Sequence, residues 1–170
     1  MARRVPRREA EKKLRKRHHE FLELYRLHDV AVEYFKRLAE LNGCRVIEHG
    51  LEKRYSRVYY YYDYKPDLLV LCPFGRFLVE VKAKRACVVP EWTYVNVRHI
   101  RNYLEYSRRI GNPVYLFVAF VCEDSVIGKL WFDIGKINWE ELPRRRAWDG
   151  NEVYVLSKKH ASPMPFLYEP

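Results

Sequence analysis

Apolar positions along this chain follow two periods. From Glu20 to Leu41 they recur at helical spacing, at Phe21, Leu24, Leu27, Ala31, Phe35, Leu38 and Leu41, which predicts an amphipathic helix. Asn42-Gly43 stops it, because glycine readily takes the left-handed conformation that closes a helix. Asp29 can act as an N-cap, so a break near His28-Asp29 is expected. Residues 8–18 are polar all round, and a helix there needs a partner or an anion to hold it.

Beyond Gly43 the period shortens to two. Cys44 to Glu48 reads as a short strand, and Arg57 to Tyr64 as a β-prone run crowded with Tyr59, Tyr60, Tyr61, Tyr62 and Tyr64. Pro66 to Lys84 holds two apolar strands about Cys72-Pro73-Phe74-Gly75. Pro90 and Trp92 mark a loop. Tyr94 to Ile110 is predicted helical, with Val97, Ile100 and Leu104 as its core stripe and Gly111-Asn112-Pro113 as its stop. Val114 to Cys122 is nearly all apolar, as for a strand covered on both faces. Lys129 to Ile134 and Glu152 to Leu156 complete the strands, and the segment between them reads as loop. The order predicts an α/β fold with a central mixed β-sheet flanked by helices. A length of 170 residues suits one domain with a full core.

Charge changes that picture at one end. Residues 1–19 carry nine basic side chains (Arg3, Arg4, Arg7, Arg8, Lys12, Lys13, Arg15, Lys16, Arg17) against Glu9 and Glu11, a net +7 out of +10 for the whole chain. A basic arm over residues 1–19 ahead of a nearly balanced domain over 20–170 points to a polyanionic partner, nucleic acid first. Arg98, Arg101, Arg108 and Arg109 form a second basic group on the predicted helix. No apolar run approaches the ~20 residues that span a bilayer. The N-terminus is charged and lacks the apolar stretch of a secretory leader, and the free thiols expected of the cysteines imply a reducing, cytoplasmic (intracellular) location. Cys44, Cys72, Cys87 and Cys122 show no C-x-x-C spacing and sit in apolar strands; free buried thiols are expected. The absence of glutamine and the abundance of Lys, Arg, Glu and Tyr lean toward a thermophile.

The hairpin carries three charges that a core does not need. Strand alternation puts Arg76, Leu78, Glu80 and Lys82 on one face of the second strand and Phe77, Val79 and Val81 on the other. If the strands pair directly about Pro73-Phe74, Asp67 faces Glu80. A proline in the turn leaves a wider loop open, and a one-residue slip would turn Asp67 away. Opposed carboxylates repel, and a divalent cation relieves that repulsion. Two carboxylates with room for water and phosphate oxygens describe a Mg²⁺ site, which also accepts Mn²⁺.

Pro66-Asp67, an apolar hairpin, then Glu80-Val81-Lys82 resembles the PD-(D/E)XK nuclease superfamily, whose fold is restriction-endonuclease-like. The order of elements from about residue 29 to 122 resembles it too, and is similar to that of archaeal Holliday-junction resolvases and viral nucleases. The resemblance implies a metal-dependent deoxyribonuclease, an endonuclease of low sequence specificity or structure-selective. The alternatives are a DNA exonuclease and a non-catalytic nucleic-acid-binding protein that retains the fold. It implies Asp67 and Glu80 as metal-binding carboxylates, the Val81 carbonyl as a further ligand, and Lys82 as the group that positions water. Glu33 matches a helix glutamate of the family; its other reading is a surface pair with Arg37. His99-Ile100-Arg101-Asn102-Tyr103 aligns with a Gln-x-x-x-Tyr motif of exonuclease-like members, with His in place of Gln. Asp63 is a rival acid, and the tyrosine run serves either stacking on bases or strand packing. The expected partner is DNA, with RNA the alternative, and cutting both strands calls for a homodimer.

Overall fold

The computed structural model describes the backbone of residues 7–50 and 65–170, and the side chains of residues 22–50 and 65–170. The chain adopts the expected α/β class. A five-stranded mixed sheet has the order β1-β2-β3-β5-β6, with β1 Arg45–Glu48, β2 Leu68–Cys72, β3 Gly75–Arg85, β5 Val114–Cys122 and β6 Ser125–Asp133. Among the described strands of this sheet only β3 and β5 run parallel. A parallel pair needs a long crossover, and helix α2, Val97–Ile110, lies within it.

Helix α1 is continuous over Arg7–Leu41, so the break expected at His28-Asp29 does not occur. The apolar stripe explains this. Leu27, Ala31, Val32, Phe35, Leu38 and Ala39 are all buried, and a bend at residue 28 would break Leu27 away from the five that follow it. They pack with Val70, Val79, Val81, Phe117 and Trp131 into one core layer. The opposite face of the sheet packs against α2 and a second, three-stranded sheet of order β4-β8-β7, with β4 Trp92–Asn96, β7 Arg144–Arg146 and β8 Glu152–Ser157.

This small sheet corrects the sequence reading at two places. Trp92 to Asn96 is a strand rather than loop and helix start, because Asn96 caps α2: its side-chain oxygen accepts from the Arg98 N–H at 2.9 Å. Arg144 to Arg146, read as loop, is an edge strand on β8.

The thiols are a further correction. Cys44 bonds to Cys72 and Cys87 to Cys122, so none of the four is free. No apolar sequence pattern announces this; pairing depends on which strands become neighbours. The first bond joins the start of β1 to the end of β2, and the second ties the segment after β3 to the end of β5. The segment 57–64, with its tyrosines, lies outside the described residues.

Candidate active site

The hairpin register is the direct one. Leu68 pairs with Val79, Val70 with Phe77 and Cys72 with Gly75, each pair of numbers summing to 147. Pro73 and Phe74 therefore form a tight two-residue turn. Such turns normally need positive φ to follow the strand twist; here Gly75, at φ 153°, takes up the mismatch. That position excludes ordinary side chains.

Pairing with β2 stops at Val79, while β3 runs on to Arg85. On this edge the N–H and C=O of Val81 face no strand among the described residues. Asp67 lies one residue before β2 and fills the gap: its Oδ2 accepts from the Val81 N–H at 2.9 Å. His28, reaching in from α1, places Nε2 3.0 Å from the Val81 carbonyl oxygen and 3.2 Å from Asp67 Oδ2. Both oxygens only accept, so Nε2 is the nitrogen that carries the hydrogen. The main chain of Asp67 is held as well, its carbonyl accepting from the N–H of His49 at 2.8 Å and of Gly50 at 3.1 Å. Gly50 makes that approach feasible. A Cβ there would press into the carbonyl oxygens of Lys65 and Pro66.

Glu80 points to the other face, toward α2, and is 5% exposed. Lys82 Nζ donates to its carboxylate, and the Tyr103 hydroxyl donates from α2. Burial raises the Glu80 pKa, the Asp67 charge raises it further, and Lys82 and Tyr103 only partly offset this; it is pushed up to about 7. The two carboxylates thus sense each other as opposed acids should. His99, one helical turn before Tyr103, is pushed down to about 4 by burial and by the charges of Lys82 and Arg98, so it is neutral at pH 7. Lys84, next along the same face of β3, is lowered by burial and by Lys82.

This donor set fits a hard divalent cation. It offers carboxylates from Asp67 and Glu80 and a main-chain oxygen from Val81, all oxygen. Among the described residues no group of three or more His, Cys, Asp or Glu side chains could hold a metal ion, so the Val81 carbonyl is essential to the set. The His28 N–H already satisfies Asp67 Oδ2 and the Val81 carbonyl together. Asp67 and the Val81 carbonyl, with Glu80, are the residues that would hold a divalent cation, which would supply positive charge where the His28 N–H now does.

The structure brings Asp67, Glu80, Val81 and Lys82 to one locus, but not Glu33. Its carboxylate is well exposed and pairs with Lys36 at 3.1 Å, and Lys36 also holds Glu48 at 2.8 Å. Five residues along a helix turn a side chain through ~140°, which carries Glu33 away from the site that His28 faces. The helix residue that touches the site is His28. The expected helix break hid it, since continuity through residue 28 is what aims its ring. Tyr103 had a signal, the tyrosine of the aligned helix motif. Arg98 and Arg101 are exposed on α2. Arg3, Arg4 and Asp63 lie outside the described residues, as do the side chains of Arg7, Arg8, Lys12, Lys13, Arg15, Lys16 and Arg17. The backbone from Arg7 onward belongs to the same helix that carries His28.

No family model matches the chain, and no curated protein matches it. Among solved structures the chain is similar to that of Archaeoglobus fulgidus Hjc, a Holliday junction resolvase from an archaeal hyperthermophile. The identity is 14%, the match covers 78% of this chain and 85% of that one, and the TM-score is 0.44. No helix among the described residues is long and apolar enough to cross a membrane.

Proposed function

We propose that the chain is a metal-dependent nuclease of the PD-(D/E)XK type that hydrolyses DNA phosphodiester bonds, as an endonuclease that selects structure more than sequence. One observation carries the reading. Two carboxylates that repel each other, a main-chain carbonyl held by a histidine rather than by a strand, and a lysine ammonium meet along β3, a costly arrangement that serves no packing purpose. Mg²⁺ or Mn²⁺, when bound, would polarise the scissile phosphate and stabilise the charge that develops on it.

The chain's own residues do the rest. Asp67 is fixed by the Val81 N–H at its Oδ2 and by the main-chain bonds at His49 and Gly50, which hold its carboxylate at the edge of β3. Val79 and Val81 anchor β3 from behind, in the core. Lys82 Nζ, held on Glu80, would orient the attacking water and offset negative charge. Tyr103 keeps Glu80 from rotating off the site. The basic arm and the α2 arginines supply phosphate contacts, which set affinity and salt dependence without reading bases. A homodimer would let both strands be cut.

An intracellular location and a thermophilic source belong to the same reading. Disulfides persist inside the cells of hyperthermophiles, although cytosolic thiols elsewhere are kept reduced.

The test compares wild type with Asp67→Asn and Glu80→Gln on supercoiled plasmid, linear duplex, branched DNA and RNA, with Mg²⁺, Mn²⁺ or EDTA. The expected result is cutting that needs metal and both carboxylates. Cutting that survives both substitutions sinks the assignment. Binding without cutting favours a non-catalytic nucleic-acid-binding protein, and cutting confined to DNA ends favours an exonuclease.

A further inference from the structure

Beyond Lys82 the surface opens into a cleft of about 700 Å³ between β3, the start of α2 and the small β4-β8-β7 sheet. Its basic side chains are Lys82, Lys84, Arg98, Arg145 and Arg146, against the single acid Asp149. The acid is already engaged. Its carboxylate accepts from the Asn151 N–H at 3.0 Å and from Asn151 Nδ2 at 2.7 Å. Arg144, the third arginine of β7, is likewise occupied: it lies 3.6 Å from Glu152 and stacks over Tyr154. Lys84 and Arg146 have no acidic partner among the described residues. Lys84 is half-buried beside Lys82, whose ammonium is held on Glu80, so the anion that would balance Lys84 comes from outside the described residues.

The cleft also carries an aromatic side chain without a packing role. Trp148 is 98% exposed, the most exposed of the large hydrophobic residues described, and lies on the turn between β7 and β8. Burying an indole is worth several kcal/mol in general, so a bare one beside a basic cleft is a platform awaiting a flat apolar face. Trp92, half exposed on β4, lies under the Arg145 guanidinium at 6.0 Å.

We propose that this cleft binds an unpaired stretch of nucleic acid, with Trp148 stacking on a base and Lys84, Arg145 and Arg146 contacting the phosphates on either side of it. The inference rests on the nuclease reading for the direction of the strand, since Lys82 belongs to both sites. The base must be unpaired. Within a duplex both faces of each base are already stacked, whereas splayed or single-stranded bases offer a free π-face. Phosphate contacts from a lysine and two arginines then hold the backbone without sequence preference. The cleft would thus confer a preference for substrates with single-stranded or unstacked nucleotides beside the scissile bond.

The experiment measures binding in EDTA, which separates it from catalysis. Fluorescein-labelled dT12, an abasic strand of the same length and a fully paired duplex are titrated against full-length wild type, Trp148→Ala, Trp148→Phe and Arg145→Ala/Arg146→Ala. Trp148→Ala is expected to bind dT12 about 5- to 150-fold more weakly, the span of one lost base stack. Trp148→Phe should recover part of that loss. The abasic strand should bind wild type and Trp148→Ala alike. The double arginine variant should flatten the log–log salt slope by about 1.4, two single-strand phosphate contacts. Equal affinity of wild type and Trp148→Ala for dT12 overturns the proposal, as does abasic strand or inorganic polyphosphate bound as tightly as dT12. If Trp148-dependent binding holds but nothing is cut with Mg²⁺, the cleft stands and the nuclease reading falls. If DNA is cut and Trp148→Ala binds dT12 normally, the cleft falls alone.

Discussion

Glu80→Gln should make the metal-free protein more stable at pH 8 while abolishing cutting. The folded-state pKa of Glu80 is about 7, against 4.5 for the free side chain. Because it is raised, the folded protein holds a proton that the unfolded chain has lost between those two values. Stability is therefore full below pH 4.5, falls as pH rises toward 7, and stays low above it. The difference of 2.5 units corresponds to about 3 kcal/mol. Glutamine keeps the shape and an acceptor for Tyr103 but cannot ionise. It leaves Lys82 without its carboxylate, so the net gain expected at pH 8 is about 1–3 kcal/mol, falling to nothing near pH 4. Urea unfolding in EDTA across pH 4–8 reads this as a midpoint difference that widens with pH at unchanged m. Parallel pH curves for the two proteins, or a variant less stable at pH 8, would refute the claim that Asp67 and burial burden Glu80.

Other consequences follow from the same geometry. Cation binding must displace the Glu80 proton, so Mg²⁺ affinity by calorimetry should rise about tenfold per pH unit below 7 and level off above it. His28→Ala should destabilise the protein in EDTA by about 1–3 kcal/mol, because the Val81 carbonyl loses its donor, and saturating Mg²⁺ should narrow that gap; a gap indifferent to Mg²⁺ argues against a shared position. Gly50→Ala should lower stability by about 1–3 kcal/mol and depress cutting more than binding, since the added methyl pushes the segment before Asp67 outward. Reduction of the two disulfides, which close loops of 28 and 35 residues, should remove about 3–4 kcal/mol each; non-reducing peptide mapping checks the pairing itself.

Much of the scaffold around the site was legible because two simple periodicities governed it. The apolar stripe of α1 and the alternation in β3 depend on local spacing, and the direct hairpin register followed from counting outward from the turn. What escaped depends on tertiary neighbours. Cysteine pairing requires knowing that β1 lies beside β2 and β3 beside β5. The β4 strand was hidden because Tyr94, Val95 and Val97 suit a helix as well as a strand, and only the Asn96 cap marks the boundary. His28 was obscured by weighing Asp29 as a cap above the continuity of the stripe around it. Glu33 was aligned by motif, but helix phase sends it to another face. Trp148 read as an unremarkable loop residue until the small sheet set it at the rim of a basic cleft.

The two disulfides sit near opposite ends of β3, one beside the Pro73-Phe74 turn and the other just past Arg85, with Val81 between them. The first bond locks β1 to β2, whose turn leads into β3, and the second locks the segment after β3 to the end of β5, so the sheet around β3 is crosslinked on both sides. The Val81 amide should therefore exchange with solvent only when the whole domain opens, and slow deuterium uptake there should persist until the disulfides are reduced. Adjustment at the site is then left to side chains, which makes the backbone a fixed bench and His28, Tyr103 and Lys82 its moving tools.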